Sequence, residues 1–260
     1  LMPSPHTSFS AQPRCVVGRF FLPIFGLMAA SGSSGCDRPP TLSPADTAGL
    51  DDEFDGGDLS DTWTVHDGEH FQREVTDGQL VMTPNANTVW YKADAGPGLF
   101  KTVKGNFRVT TRAQARSAKD PKKPVGNGYQ FAGLIARDPA SASSGEENYV
   151  FNVVGYRGDY LSVETKTTKD DHSDVLGPDW DSGDAELRIC RVNGRFLVLK
   201  RHIGDTDWEL GTTYERNDLP AALQVGPIAY TYTDEWDLRA SFDWVRFAPV
   251  TAEEDCYAKS

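Results

Sequence analysis

Long hydrophobic runs are missing from this 260-residue sequence. The main apolar stretch, residues 20–30, is too short for a bilayer core of about 30 Å, which takes about 20 helical residues to cross. No later segment comes close to that length. The sequence therefore indicates no integral membrane anchor.

Short catalytic motifs are also missing. There is no Gly-x-Ser-x-Gly nucleophile elbow, and there is no His-Glu-x-x-His, Walker or Rossmann pattern. The run Asp51, Glu53, Asp55 and Gly56 resembles the start of an EF-hand calcium loop, but Thr62 stands where such a loop needs Glu. These absences exclude the enzyme classes that such motifs define, and no feature of the sequence requires a cofactor.

Positive charge is scarce. The chain has 26 Lys and Arg against 38 Asp and Glu, a net charge of −12 at pH 7. Residues 1–36 hold two arginines and no acids, so the remainder carries −12 − 2 = −14. A surface of this charge repels nucleic acid and anionic lipid. We therefore expect no nucleic-acid partner and expect neutral ligands, cations or a basic partner.

Residues 1–36 have the order of a secretory signal. Two arginines precede the apolar stretch 20–30, and the small residues 31–35 lead to Cys36. The Gly-Cys pair resembles a bacterial lipobox, which would make Cys36 a lipidation site, although Ser33 stands where a lipobox has Leu. Cleavage near Ala30 with plain secretion is the alternative. Both predict an exported protein that is periplasmic, a cell-surface lipoprotein or secreted, with membrane contact only through the lipid anchor.

The remaining chain divides by composition. Residues 37–50 are rich in Pro, Thr, Ser and Ala without an apolar period, which predicts a flexible linker. Residues 51–248 alternate apolar and polar positions along many short segments, and no window keeps a helical stripe. Turn signals such as Asp77-Gly78 and Asn193-Gly194 separate the segments. This pattern predicts an all-β, two-sheet antiparallel β-sandwich over 51–248, followed by a polar C-terminal tail over 249–260.

Several segments also carry a family resemblance. They are the opening Asp52-Glu53-Phe54-Asp55-Gly56 with Leu59 and Trp63, Gly105-Asn106-Phe107, the run 132–137, Leu187-Arg188-Ile189 with Arg191, Trp208, the run 223–226 and the closing Phe242-Asp243-Trp244-Val245. In this order they resemble the concanavalin A-like lectin/glucanase superfamily. The resemblance is to a small bacterial family labelled regulators of enolase, and more loosely to laminin-G-like and glucanase jelly rolls. It implies a jelly-roll fold over nearly the whole mature chain, and this fold hosts lectins, hydrolases and structural modules alike.

Catalysis by this superfamily depends on paired carboxylates. Its glucanases use a Glu-x-Asp-x-Glu type of strand motif, which this sequence lacks. The nearest candidates are Glu235 with Asp237 and Asp179 with Asp181, each pair flanking a tryptophan. Neither pair has a third acid, so we predict no catalytic residues.

Carbohydrate binding is the better-supported class. Polar residues on the alternating strands, including Arg108 and Gln224, are expected to line one concave sheet face, together with aromatic rings that stack on sugars. The residues predicted to bind ligand are Trp90, Arg112, Arg137, Asn152, Tyr156, Glu164, Tyr230 and Trp236. The alternative is the ordinary polar face of a solvated sheet.

Two further site predictions concern the ends of the domain. Jelly rolls of this type often hold a structural calcium ion near their joined termini, which here would involve Asp52, Asp55 or Asp243. Cys15 and Cys36 belong to the leader or anchor, so Cys190 and Cys256 remain as a pair that export would allow to oxidise. We favour a Cys190–Cys256 disulfide over two free thiols.

Three functions are therefore open. The first is an exported module that binds carbohydrate, for example a cell-surface polysaccharide, or mediates adhesion. The second is a glycoside hydrolase or lyase of the concanavalin A-like superfamily. The third is a structural lipoprotein that interacts with proteins.

Overall fold

The structure is a computed structural model and describes residues 41–259. The predicted leader and the predicted lipidation site at Cys36 lie outside the described residues. No helix within residues 41–259 is both long enough and apolar enough to cross a membrane.

Strands dominate the described chain. In order they are β1 (Thr64–His66), β2 (Phe71–Thr76), β3 (Gln79–Pro84), β4 (Gly98–Lys104), β5 (Phe107–Ser117), β6 (Gly128–Arg137), β7 (Tyr149–Gly158), β8 (Tyr160–Lys169), β9 (His172–Leu176), β10 (Asp184–Val192), β11 (Arg195–Arg201), β12 (Glu209–Glu215), β13 (Ala222–Tyr232) and β14 (Leu238–Pro249). A one-turn helix, α1 (Ser141–Ser144), follows β6, and a 3₁₀ helix, η1 (Glu253–Tyr257), follows β14.

The strands form two antiparallel sheets of seven. The first sheet has the order β1-β4-β13-β6-β7-β8-β9, and the second has the order β12-β11-β10-β5-β14-β3-β2. Neighbouring strands of the chain often sit in different sheets, as β4 and β5 do. This crossing between sheets is the jelly-roll arrangement, and it confirms the predicted all-β antiparallel sandwich.

The main core fills the space between the sheets. It includes Val150 and Val154 from the first sheet and Val109, Leu187 and Phe242 from the second, all fully buried. Because side chains alternate along a strand, the residues between these positions face outward. Each sheet then buries a smaller apolar cluster on its outward face, around Trp90 on the first sheet and around Cys190 on the second.

Tight turns set the strand register. Asp77 and Gly78 have φ values of 53° and 72° and join β2 to β3, where Thr76 pairs with Gln79. Positive φ at both central residues is the backbone of a type I′ turn, whose twist matches that of the strands. Asn193-Gly194 joins β10 to β11 in the same two-residue spacing, because Val192 pairs with Arg195.

Residues 37–50 are predicted to form a flexible linker, but from residue 42 onward this segment is bound to the domain. The backbone of Ala45 donates to the carbonyl of Asn106 at 2.8 Å, and Asn106 Nδ2 donates to the carbonyl of Leu42 at 2.8 Å. Ala45 is buried and Leu50 packs against the main core. The sequence did not show this because the partner, Asn106, lies about sixty residues away.

The segment predicted as a polar tail over 249–260 packs on the outward face of the second sheet. Cys256 forms a disulfide with Cys190, with Cα atoms 5.6 Å apart. Arg188 Nη1 donates to the carbonyls of Cys256 at 2.6 Å and of Ala258 at 2.9 Å, and Arg108 Nη1 donates to the carbonyl of Asp255 at 2.6 Å. The Cys190–Cys256 disulfide is the one favoured from the sequence. It attaches the polar C-terminal segment to the second sheet.

Removal of this disulfide is expected to destabilise the domain. The bond closes a loop with a sequence separation of 66, for which chain entropy suggests a loss of about 4 kcal/mol at most. Urea unfolding of the double variant Cys190→Ala/Cys256→Ala should therefore show a lower midpoint than the oxidised parent protein. The reduced parent protein is the control, because it keeps both sulfur atoms, and it should lie close to the variant. Equal midpoints for the oxidised and reduced parent protein would contradict a stabilising disulfide.

Candidate functional site

A cavity lies on the outward face of the first sheet. Its volume is about 620 Å³. Its lining combines aromatic rings with charged and hydroxyl groups, and we call it the tyrosine pocket: Val89, Trp90, Tyr91, Asp94, Tyr129, Arg157, Glu164, Lys166, Ser173, Asp174, Val175, Tyr230 and Tyr232.

One end of the tyrosine pocket carries a row of side chains on three adjacent strands. Tyr232 on β13 pairs with Tyr129 on β6, and Tyr129 pairs with Arg157 on β7. Paired residues of neighbouring strands project on the same side of a sheet. The register therefore brings two tyrosines and a guanidinium together, and both tyrosine rings are exposed.

The other end is covered by the loop 85–97 between β3 and β4. Its Trp90 is fully buried, with ring centroids 6.3 Å from Phe100 and 5.6 Å from Tyr149 in edge-on contacts. Trp90 Nε1 donates to the carbonyl of Pro97 at 3.3 Å, so the buried indole keeps a hydrogen bond. A Cβ atom at Gly96 would lie about 3.1 Å from that nitrogen, so the loop packs closely against the indole there.

Three charged groups from β7 and β8 form the deep part of the pocket. The carboxylate of Glu164 accepts a hydrogen bond from Arg157 Nη1 and lies 3.5 Å from Lys166 Nζ. Lys166 Nζ also donates to the carbonyl of Trp90 at 2.7 Å and lies over the Phe151 and Tyr91 rings. The single buried carboxylate is thus held between two cations, and the lysine joins β8 to the loop.

Burial changes the acid–base properties of two pocket groups. It lowers the pKa of Lys166 from 10.5 to about 8, although the carboxylate of Glu164 acts in the opposite direction. Burial raises the pKa of Tyr230 well above its ordinary value. Tyr230 therefore stays neutral at physiological pH, which suits a hydroxyl that donates or accepts hydrogen bonds.

Three of the residues predicted to bind ligand line the tyrosine pocket: Trp90, Glu164 and Tyr230. Arg137 lies on the same face but beneath Trp90, with its guanidinium 5.6 Å from the indole and a buried ion pair to Glu147. Trp236 lies outside the lining, in the segment between β13 and β14, where its Nε1 donates to Asn87 Oδ1 at 3.0 Å.

The prediction that Arg112, Asn152 and Tyr156 share this face is wrong. Arg112 is on the outward face of the second sheet, where it pairs with Glu186 and Asp243. Asn152 and Tyr156 point from β7 into the space between the sheets. Asn152 Nδ2 donates to the backbone carbonyl of Leu199 at 2.8 Å, across the core. Alternation predicts that a strand has two faces, but it does not say which face is the core.

The residues that sequence reasoning missed come mainly from two places. Arg157 and Tyr129 are strand-end residues beside the turns of β6, β7 and β8, whereas Tyr91 and Asp94 come from the loop. Lys166 was missed although Glu164 was named, and the two positions share a face because they are two residues apart on β8. That spacing was the available signal.

The predicted calcium ligands do not converge. Asp52 accepts hydrogen bonds from Trp63 Nε1 at 2.7 Å and from the backbone of Phe54 at 3.0 Å, and Asp55 is exposed. Asp243 accepts from Gln79 and from the Arg112 guanidinium. Asp52 and Asp243 therefore already accept hydrogen bonds from protein donors. The positive charge of Arg112 beside Asp243 would also repel a calcium ion. Within residues 41–259, the three-residue group whose ligand atoms lie close together is Asp67, Glu69 and His70.

The two carboxylate pairs also lie away from the tyrosine pocket. Asp179 and Asp181 border a shallow depression with Trp180 and His202, whose rings stack at 4.0 Å. Glu235 and Asp237 lie in the segment between β13 and β14, and Asp237 accepts from the backbone of Lys119. Neither pair faces the deep carboxylate Glu164.

Comparison with solved structures agrees with the fold. The GH43 protein BlXynB from Bacillus licheniformis is 14% identical, with a TM-score of 0.61 over 78% of this chain and 40% of that chain. The catalytic domain of an endo-1,3-beta-glucanase (laminarinase) from Thermotoga petrophila is 13% identical, with a TM-score of 0.53 over 81% and 96%. A functionally unknown protein from Saccharomyces cerevisiae is 16% identical, with a TM-score of 0.60 over 77% and 100%.

These likenesses concern the fold alone, because all identities are low. The present chain spans about two fifths of the length of the GH43 protein and nearly all of the laminarinase domain. No family model matches the sequence, and a search of curated proteins finds no match. The chain thus shares a jelly-roll sandwich with these proteins.

The burial of Lys166 gives a pH prediction. In protein labelled with ¹³C at the lysine Cε, the Lys166 signal should titrate near pH 8. Between about pH 8 and 10.5 the ammonium is kept in the unfolded chain and lost in the folded one, so the free energy of unfolding should rise with pH over this interval. The Lys166→Arg variant identifies the signal by its loss. A Lys166 midpoint near 10.5 would show that the ammonium is solvated and not held under the loop.

Proposed function

We propose that this domain binds carbohydrate in the tyrosine pocket. Sugar recognition needs aromatic faces for the C–H side of the ring and polar groups for its hydroxyls. Tyr91, Tyr129 and Tyr232 supply exposed rings at the mouth, and Arg157, Lys166 and Ser173 supply polar atoms inside. The pocket is large enough for a ligand of a few sugar residues, since binding sites of about 300–1,000 Å³ are typical of small molecules.

The placement of exposed aromatic rings carries this proposal. Five tyrosines and tryptophans within residues 41–259 are exposed. Three of them line this one pocket, and a fourth, Trp236, is hydrogen-bonded to Asn87 in the loop that forms its wall. Exposed aromatic rings scattered over a surface need no explanation, but a cluster at a cavity mouth is typical of a binding site.

Binding fits the geometry better than hydrolysis does. A retaining glycosidase needs two carboxylates about 5–5.5 Å apart. The outward positions next to Glu164 are Ser162 and Lys166 along β8 and Val153 across on β7, and none is acidic. Asp94 and Asp174 are exposed, whereas Glu164 is neutralised by Arg157 and Lys166. A carboxylate in this environment is suited to accepting hydroxyl hydrogen bonds.

The activities of two structural neighbours support a polysaccharide ligand. They include an endo-1,3-beta-glucanase and a xylan beta-1,4-xylosidase, so laminarin and β-1,4-xylan are the first probes. Export to the periplasm, cell surface or medium would place the domain among such polymers, and this location stays a prediction. Membership of the small family labelled regulators of enolase also stays a prediction, and the binding proposal does not depend on it.

Tyrosine removal tests the pocket. Tyr91→Ala, Tyr129→Ala and Tyr232→Ala should each weaken saccharide affinity by roughly ten-fold, which corresponds to about 1.4 kcal/mol, because each loses a stacking face. Tyr257→Ala is the matched control, since Tyr257 is also exposed but lies in η1 beside the second sheet. Calorimetry should show unchanged affinity for that variant, and melting temperatures of all four should stay close to the parent value.

Two outcomes would redirect the assignment. Release of reducing sugars by the parent protein, with loss of that activity in Glu164→Gln, would make the domain a glycoside hydrolase. A glycan array without any bound saccharide would contradict the proposal and favour the structural, protein-interaction alternative.

A further inference from the structure

We infer that the tyrosine pocket takes the end of a saccharide chain and excludes its internal segments. This inference rests on the proposed carbohydrate binding and adds to it the class of ligand. It follows from the path of loop 85–97, which is bonded to the first sheet on both sides of the pocket.

On one side, the loop extends the sheet beside β13. The backbone of Thr88 donates to the carbonyl of Thr231 at 2.8 Å, and Thr231 Oγ1 donates to the carbonyl of Ala86 at 2.9 Å. Val89 and Trp90 follow at once and belong to the pocket lining. The loop is therefore anchored to the sheet on this side of the pocket.

On the other side, the loop is tied to β8 and β9. The backbone of Lys92 donates to Ser173 Oγ at 2.9 Å, and the carbonyl of Trp90 accepts from Lys166 Nζ at 2.7 Å. Tyr91 and Asp94 close a tight turn through two reciprocal backbone hydrogen bonds, with Lys92 at a φ of 55°. The loop thus crosses the face as a braced structure.

The loop also covers one end of the sheet face. Arg137 on β6 pairs with Tyr149 on β7, which pairs with Thr168 on β8. The indole of Trp90 lies over this row, in contact with both Arg137 and Tyr149. The row Tyr232, Tyr129 and Arg157 at the other end carries the exposed rings.

A polysaccharide chain can therefore enter over the tyrosine row but meets the loop before it can leave. Its last sugar would lie beside the deep groups Glu164, Lys166 and Ser173, and the preceding sugars would stack on the exposed tyrosines. An internal segment would need open space at both ends of the pocket, and the braced loop occupies one of them.

The number of chain ends provides the test. Laminarin and β-1,4-xylan are each presented intact and after partial acid hydrolysis, at equal mass, and the moles of protein bound per gram are measured by calorimetry. Binding to chain ends predicts that capacity rises in proportion to the number of ends. Affinity for short oligosaccharides should also become constant once the oligosaccharide is long enough to fill the pocket.

The controls separate this inference from the proposed function. Tyr232→Ala should lower affinity for intact and hydrolysed samples alike. A capacity per gram that does not change on hydrolysis, together with tight binding of a cyclic β-glucan that has no ends, would overturn chain-end recognition and leave carbohydrate binding in place. Absence of binding to both polysaccharides, before and after hydrolysis, would overturn the proposed function itself and this inference with it.

Discussion

The indole of Trp90 is fully buried although it belongs to a loop, and the outward face of the first sheet is organised around it. Burial of a tryptophan side chain contributes about 3–5 kcal/mol relative to alanine, enough to hold loop 85–97 against the sheet. The aromatic residues Phe100, Tyr149, Phe151 and Tyr230 form the surface that receives it. Without this contact the outward face would be an open sheet. With it, the loop and the sheet together form a pocket.

The charged groups of the pocket help to hold the loop against the sheet. Lys166 is the point at which the loop, the sheet and the deep carboxylate meet, because its ammonium contacts the carbonyl of Trp90 and the side chain of Glu164. A buried cation without such partners would be costly. Arg157 completes the neutralisation of Glu164 from the neighbouring strand. The same arrangement that makes the burial tolerable holds the deep carboxylate Glu164 in ion pairs with Arg157 and Lys166.

The sequence was sufficient for the fold class and insufficient for the pocket, and particular residues show the reason. Alternation over 149–153 predicted a strand correctly, because side-chain periodicity is a local property. It could not say that Phe151 faces the pocket while Asn152 faces the core, since that depends on which side the second sheet covers. Arg112 was grouped with Glu164 because both alternate with apolar residues, yet their strands belong to different sheets.

Contacts between residues far apart in the sequence explain the other differences between the predictions and the structure. Residues 42–50 have the composition of a linker but find partners at Asn106 and Asn193, and the C-terminal segment is held by Arg188 and Cys190. Trp90, Glu164 and Tyr230 were named from residue type alone, because aromatic rings and polar groups are what a sugar site needs. Tyr129 and Arg157 were not, because only the register of β6 and β7 places them in one row.

The central claim is that carbohydrate binds the outward face of the first sheet. Its most direct test is the map of backbone amide shifts in ¹⁵N-labelled protein as laminarin oligosaccharides are added. Binding in the tyrosine pocket should perturb mainly the amides of residues 88–94 and those around Tyr129, Arg157, Glu164 and Tyr232. Perturbations confined to the outward face of the second sheet, around Arg112 and Arg188, or to the depression at Trp180, would contradict it.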